Sequence, residues 1–405
     1  MRGLPAPIGR AAAAVLHRLP ESFAYRLAGA RLGYDPADIP DPISIDRAPI
    51  RLLVAPANYA GQGHAWARSA SRAPGVAAVN LDVVRPGGYS FPADFRVPQG
   101  VYAGSRSWSR AHLSALGDGF THVLIEAELP ILGAVLGHDL QREGRWLDDH
   151  GIARAYVSHG SDLRLPSRHA ALDRWSPFRD PDWELVPVLE RKARENAAFL
   201  RDQARPVFVP TPELLLDVPE ATWLPIVVDP EQWAMSSAAL RRSRPVVVHA
   251  PTNVTIKGTA LVAPVLERLH DEGVIEYRAV PKVSHSAMPA VYEDADIVLE
   301  QFRLGTYATT AIEAMAAGRL VIGHVSEQVR AEAQRVARRE LPILEGDPGC
   351  LEDVLRQVAA DPEAYREQAE SGKAYVAAVH DGSESARVVS AFTGGELPDD
   401  DRRAP

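Results

Sequence analysis

The chain has 405 residues, 46% of them hydrophobic and 24% charged, which is enough apolar material for two cores. Its formal net charge of −9 argues against a nucleic-acid binder, which carries a basic excess. Cys350 is the one cysteine, so an intramolecular disulfide and a cysteine-rich metal site are both excluded.

Residues 1–47 read as a helical and linker preface. No apolar run in the chain approaches the roughly 18 residues of a membrane-spanning helix. The short stretch Ala11–Leu16 runs into Arg18 and Glu21 with no cleavage site, so no signal peptide is read and the cytoplasm is the expected compartment. Ala11–Leu16 and Ser22–Leu32 have helical composition, and Arg2, Arg10, Arg18, Arg26 and Arg31 stand there against Glu21. Such a basic stretch either packs as an arm on the protein's own surface or makes a peripheral contact with an anionic membrane. Pro36, Pro40 and Pro42 then mark an irregular linker.

From 48 to 225 short apolar runs alternate with helical stretches. Strands are expected at 50–55, 75–84, 121–126, 154–158 and 207–209, and helices at 65–71, 131–150 and 185–202. Continuous apolar strands separated by helices indicate parallel strands buried on both faces, the pattern of a doubly wound α/β domain. The pattern restarts near Pro225. Through 226–380, strands at 245–250, 275–280, 297–299 and 320–323 alternate with helices at 258–272, 288–293 and 309–317. Residues 381–393 are expected as a C-terminal helix crossing back to the first domain. Residues 394–405, with Asp399, Asp400 and Asp401, are expected as a disordered tail.

Four loops at strand ends carry the chemistry-bearing residues. After the first strand, Gly61 and Gly63 precede the first helix. Glycine there lets the backbone approach a ligand, and a helix N-terminus favours anions. A plain tight turn is the alternative, because Trp66 stands where a dinucleotide fingerprint has its third glycine. The fourth strand runs into His159-Gly160-Ser161-Asp162. A histidine at a strand end can hydrogen-bond a sugar hydroxyl or move a proton, while Ser161 or Asp162 can cap the next segment.

The third loop, His249–Thr259, holds Asn253 and Lys257, and Lys257-Gly258 is expected to open a helix. An ammonium beside a helix N-terminus acts on the same anion as the peptide dipoles, as a phosphate counter-ion does. The fourth, Asp296–Gly318, leads from a strand through a glycine-containing loop into an alanine-rich helix. Backbone N–H groups at Thr306–Thr310 could cradle a diphosphate, with Gly305, Thr306 and Tyr307 as the expected contacts. Glu313 can accept two hydrogen bonds from ribose hydroxyls, or else serve the helix dipole. Gly318 ends that helix.

Taken in order, Lys257-Gly258-Thr259, Tyr292–Ile297 and Glu313–Gly318 resemble the C-terminal domain of the GT-B glycosyltransferases of family 4. Ser158–Arg164 resembles that family's histidine loop, and Leu224–Pro230 its entry into the second domain. The resemblance implies an α/β GT-B fold, with two Rossmann-like doubly wound parallel-sheet domains facing a central cleft. It implies retaining transfer from a nucleotide-diphosphate sugar, with no required metal and no cofactor besides the donor substrate.

By position, the resemblance puts Lys257 on the donor diphosphate and Glu313 on the ribose, as the second Glu of an E-x7-E motif. His159 becomes the catalytic contact near the anomeric carbon. The Gly61 and Gly63 loop would face the diphosphate or acceptor from the other domain. Ser161, Asp162 and Asn253 are candidate sugar or acceptor contacts, and the backbone near Val283 would approach the base. Two positions depart from the pattern. Gly305 stands where the first Glu of E-x7-E falls, and Thr252 stands about where the family often has an Arg. The expected activity is sugar transfer to a carbohydrate, lipid or small-molecule acceptor. A pseudoenzyme that binds a nucleotide without transfer and a nucleotide-sugar epimerase are the competing readings.

Overall fold

The computed structural model describes residues 21, 25–26, 33–88, 90–280 and 283–396. The expected helix at 11–16, most of the one at 22–32 and most of the expected tail lie outside these residues. Of the preface, Glu21 is tied to the protein's own surface. Its carboxylate accepts hydrogen bonds from Ser107 N at 2.8 Å and Ser105 Oγ at 2.9 Å, at the start of a helix. The chain divides into two compact units, the first ending at Ala155 and the second starting at Tyr156. The boundary near Pro225 expected from sequence lies inside the second unit.

The first unit is a parallel sheet with helices between its strands. Its elements are β1 (Ile50–Ala55), α1 (Gln62–Ala70), β2 (Val76–Val84), β3 (Phe95–Pro98), α2 (Arg106–Gly119), β4 (His122–Glu126), α3 (Leu140–Asp149) and the start of β5 (Ala153–Val157). The strands run in the order β3-β2-β1-β4, and β5 starts beside β4, where Ala153 N donates to Thr121 O. Leu52, Leu53, Val54 and Ala55 are fully buried, as a central parallel strand covered on both faces requires. The order reverses direction between β1 and β4, and in open α/β sheets ligands bind outside the carboxyl ends of the strands at such a switch.

The helix expected at 131–150 begins only at Leu140. Gly133, Gly137 and His138 have φ of 60°, 74° and 56°, a left-handed backbone that no α-helix accommodates. Asp139 then caps the helix by accepting from Gln141 N and Arg142 N.

In the second unit β5 pairs with β6 (Val207–Val209), and β6 with β7 (Thr222–Trp223). Between β5 and β6 lie α4 (Gly160–Leu163), α5 (Pro166–Leu172) and α6 (Val186–Gln203). A second sheet follows, built from β8 (Val246–His249), β9 (Glu276–Ala279), β10 (Ile297–Leu299), β11 (Leu320–Gly323) and β12 (Leu344–Glu345). All its pairings are parallel, in the order β12-β11-β10-β8-β9. The intervening helices include α7 (Val254–Lys257), α8 (Thr259–Asp271), α9 (Met288–Glu293), α10 (Thr309–Ala316) and α11 (Glu327–Ala337).

Val247, Ile297, Leu299, Leu320 and Ile322 from the strands pack with Val262, Leu266 and Leu269 of α8 and with Leu355 in one core. Each such side chain contributes about 1.5–3 kcal/mol by leaving water. Asp296 fixes where β10 starts. Its buried carboxylate accepts from Leu240 N at 2.7 Å and from Val246 N at 2.9 Å, the first residue of β8. The C-terminal helix α12 (Ser383–Thr393) packs on β6 and the segment after β7. Phe392 meets Phe208, and Ser385 Oγ donates to Pro225 O at 2.9 Å.

Candidate active site

The second sheet changes direction between β8 and β10, which are neighbours although β9 lies between them in sequence. That switch point is the expected ligand position of a doubly wound sheet. Lys257 ends the short helical turn α7 that follows β8, and Glu300 directly follows β10. Their side chains meet at this point: Lys257 Nζ donates to Glu300 Oε1 at 2.7 Å. The carboxylate side chain is 1% exposed and the lysine 12%.

Lys257 does not open the long helix, as its sequence context suggests. It closes the short turn α7, and Gly258, with φ 74°, separates it from α8. The physical reason lies at Gly258. A Cβ at that position would stand 3.2 Å from Phe302 Cβ, and Phe302 N donates to Lys257 O at 3.2 Å. Only glycine admits this approach and turn together. Asn253 caps α7, its Oδ1 accepting from Thr255 N and Ile256 N at 3.1 Å each.

Glu313 lies on α10, after β10, and is 5% exposed. His285 Nε2 is 2.6 Å from Glu313 Oε1. Burial pushes the Glu313 carboxyl above its usual range despite His285, and the charge of Glu300 adds to the rise while Lys257 opposes it. The Glu313 carboxylate, as acceptor of this hydrogen bond, in turn raises His285. Lys257, Glu300, Glu313 and His285 therefore form one electrostatic cluster, with Tyr292 and Trp233 packed beside it. Trp233 touches the rings of both His285 and Tyr292. Buried His249, at the end of β8, is pushed down to about 4 by desolvation, aided by the Lys257 charge.

The loop Gly305–Tyr307 is shaped by Gln301, which accepts from Leu304 N at 2.8 Å and donates to Thr306 O at 2.5 Å. Gly305 has φ 57°, and a Cβ there would stand 2.8 Å from Asp173 Oδ2. At the position where the resemblance expects the first Glu, the left-handed backbone favours glycine, and a Cβ would press on the Asp173 carboxylate. Asp173 Oδ2 also bonds His324 Nε2 at 3.0 Å, and Glu345 Oε1 lies 2.8 Å from His324 Nδ1.

The Thr306 and Tyr307 side chains are turned into the protein. Thr306 Oγ1 donates to Glu213 Oε2 at 2.7 Å, and the buried Tyr307 hydroxyl lies 3.1 Å from that of Tyr375. Any anion contact there is left to backbone N–H groups, those of the loop and those of the first turn of α10, which starts at Thr309 and whose first N–H groups lack intrahelical acceptors. Beneath this loop is a cavity of about 50 Å³ lined by Arg164, Arg168, Asp173, Glu213, Asp217 and Leu304, among others.

His159 sits at the end of β5 and is half-buried. Asp162 bonds back to His159 N at 3.0 Å and also accepts from Lys192 Nζ at 2.6 Å. Both Asp162 oxygens are therefore engaged inside the protein, in the capping role, whereas Ser161 is exposed. Gly61 and Gly63 belong to the first unit. Gly61, with φ 76°, precedes α1. Gly63 lies where a Cβ would stand 2.5 Å from Glu126 Oε1, at the end of β4. The glycine there admits a buried carboxylate at the first unit's own switch point.

Lys257 and Glu313 stand out in the sequence and meet in one cluster, Glu300 stands out there only as an acidic neighbour of Gly305 that does not align with E-x7-E, and His285, Asp173, Glu213 and His324 do not stand out. Glu300 had one legible signal, its position directly after an apolar strand. His324 had the same signal, directly after β11, while His285, Asp173 and Glu213 stand in turns with no local pattern. Among the described residues no group of three or more His, Cys, Asp and Glu side chains could hold a metal ion.

No family model matches the chain, and no curated protein matches it. Solved structures do match. Sucrose-phosphate synthase (tll1590) from Thermosynechococcus elongatus is 14% identical, covers 84% of this chain and 97% of its own, and gives a TM-score of 0.51. Anabaena Alr3699/HepE in complex with UDP is 10% identical over 85% of this chain and 99% of its own, with a TM-score of 0.52. The catalytic domain of starch synthase IV from Arabidopsis thaliana, bound to ADP and acarbose, is 10% identical over 86% and 99%, with a TM-score of 0.53. The fold is GT-B. The GT-B likeness extends over most of the chain, and the Lys257–Glu313 cluster lies in its second sheet. No helix among the described residues is long and apolar enough to cross a membrane.

Proposed function

We propose that this chain is a glycosyltransferase that moves a sugar from a nucleotide-diphosphate sugar to a hydroxyl acceptor. The observation that carries the proposal is the cluster at the β8/β10 switch point, where a lysine from the turn α7 and Glu313 from the helix α10 share one buried site around Glu300. The UDP and ADP complexes named for GT-B structures of similar fold support a nucleotide donor.

In this reading Lys257 and the first N–H groups of α10, approached through Gly305, Thr306 and Tyr307, stabilise charge developing on the leaving diphosphate. Glu313 holds the ribose, exchanging His285 for its hydroxyls. His159 stands near the anomeric carbon, with Ser161 and Asn253 as polar contacts. Retention without a required metal is what the family resemblance implies, and within a retaining reaction the lack of an evident protein nucleophile favours attack on the face the phosphate leaves over a covalent intermediate. The acceptor is a carbohydrate, a lipid or a small molecule, a lipid being the choice if the basic preface meets an anionic membrane surface.

Lys257→Ala is expected to weaken nucleoside diphosphate binding by at least ten-fold and to cut turnover of the accepted donor by a larger factor, measured by calorimetry and by product analysis over a panel of nucleotide sugars. Wild-type affinity and turnover in that variant would remove Lys257 from the reaction. A second reading, nucleotide binding without transfer, is favoured by Gly305, whose missing carboxylate leaves the donor sugar with one contact fewer. Nucleotide binding with neither transfer nor donor hydrolysis by the purified chain would select it.

A further inference from the structure

We propose that Glu300 is a resident counter-ion that competes with the diphosphate for Lys257 and so limits how tightly the site holds its nucleotide. The assignment rests on the donor reading above and adds a residue to it. Glu300 follows β10 directly, and its carboxylate is 1% exposed while Oε1 accepts from Lys257 Nζ at 2.7 Å. Its second oxygen, Oε2, is buried and finds no hydrogen-bond partner among the described residues, and the buried Tyr292 hydroxyl is in the same condition. A buried ion pair with an unsatisfied oxygen is a poor stabilising device. Well-packed apolar side chains of the same volume would serve the fold at least as well.

The arrangement makes sense if Lys257 has two partners in turn. Paired with Glu300, the ammonium is neutralised and kept at the switch point, while the Phe302–Lys257 backbone bond holds the main chain that carries it. An arriving diphosphate must draw the ammonium away and then share the site with the negative charge of Glu300. Glu313 lies near enough for its charge to be felt by the same groups. Both effects lower anion affinity, and both reverse on departure, when Glu300 takes the lysine back as the product nucleotide leaves.

The test uses the full-length chain and inorganic pyrophosphate, which carries the diphosphate chemistry without a base, beside UDP, ADP and GDP. Affinities are measured by calorimetry for wild type, Glu300→Gln, Lys257→Ala and the double variant. Glu300→Gln keeps the shape and removes the charge. It is expected to bind pyrophosphate, and whichever nucleotide wild type binds, about ten-fold more tightly, which is about 1.4 kcal/mol. The double variant is expected to bind no more tightly than Lys257→Ala.

A melting-temperature comparison gives a second, ligand-independent check. Lys257→Ala leaves the Glu300 charge buried without its partner and should melt well below wild type, and adding Glu300→Gln should recover most of that loss. Unchanged or weaker pyrophosphate binding by Glu300→Gln, or the same tightening in the absence of Lys257, overturns the assignment. If Glu300→Gln fails to fold, a melting temperature of the double variant no higher than that of Lys257→Ala overturns it. If pyrophosphate binding tightens but no nucleotide binds, the donor reading falls while the role of Glu300 stands. If a nucleotide binds wild type and Glu300→Gln alike, the reverse holds.

Discussion

His324 stands between two carboxylates, with Nε2 3.0 Å from Asp173 Oδ2 and Nδ1 2.8 Å from Glu345 Oε1. Burial alone would push the imidazole down, but the bonds to Asp173 and Glu345 outweigh it and raise the group from 6.5 to about 9. A histidine whose folded-state value is raised stabilises the fold fully below its unfolded value. That stabilisation is lost as pH rises through the folded value. The window here runs from about 6.5 to about 9, and the ion pair's contribution is at most about 3 kcal/mol at its acid end. Thermal melts should therefore show the second unit losing stability between pH 6.5 and 9, and His324→Gln should melt lower at pH 6 and flatten that slope. An unchanged slope in the variant would assign the pH dependence to other groups.

At the scale of the element, most strands are found within one residue of where the sequence puts them, because a fully apolar run bounded by polar loops is a local signal. The misses also have local reasons. β3, Phe-Arg-Val-Pro, is an edge strand that alternates between exposed and buried, so it lacks the apolar run of the central strands. The helix at 131–150 is shortened by three left-handed positions, Gly133, Gly137 and His138, of which His138 gives no warning in its residue type. Glycine roles were legible only in part. At Gly318, φ 65° and the 2.9 Å bond from Arg319 N to Ala314 O make the helix stop that the sequence implies.

At Gly63 the constraint is a tertiary one. A Cβ would meet Glu126 Oε1 at 2.5 Å and Ala57 O at 2.7 Å. Gly63→Ala should lower stability by about 1–3 kcal/mol through overpacking against backbone. Gly119→Ala should cost nothing measurable, because its nearest neighbour would be Ile45 Cγ2 at 3.8 Å. Denaturant melts of the two variants compare these directly, and equal stability would deny that Gly63 is there for space.

For the whole molecule, a ligand that binds only the folded state stabilises it by about 2.7 kcal/mol at one hundred times its dissociation constant. If the donor site lies at the β8/β10 switch, saturating nucleoside diphosphate should slow amide exchange most at residues 249–258 and 300–313. Protection centred elsewhere in the second unit would move the site. The alternation of strands and helices, and the prominence of Lys257 and Glu313, are legible in the chain alone, because periodicity, glycine stops and strand-end polar residues are properties of neighbouring positions. What these residues touch is set by packing between distant segments. Lys257 meets a carboxylate 43 positions away, and Asp173 reaches His324 across 151. A buried charge is fixed by the partner that offsets its desolvation, and that partner is chosen by the packing of sheets and helices, which no local pattern encodes.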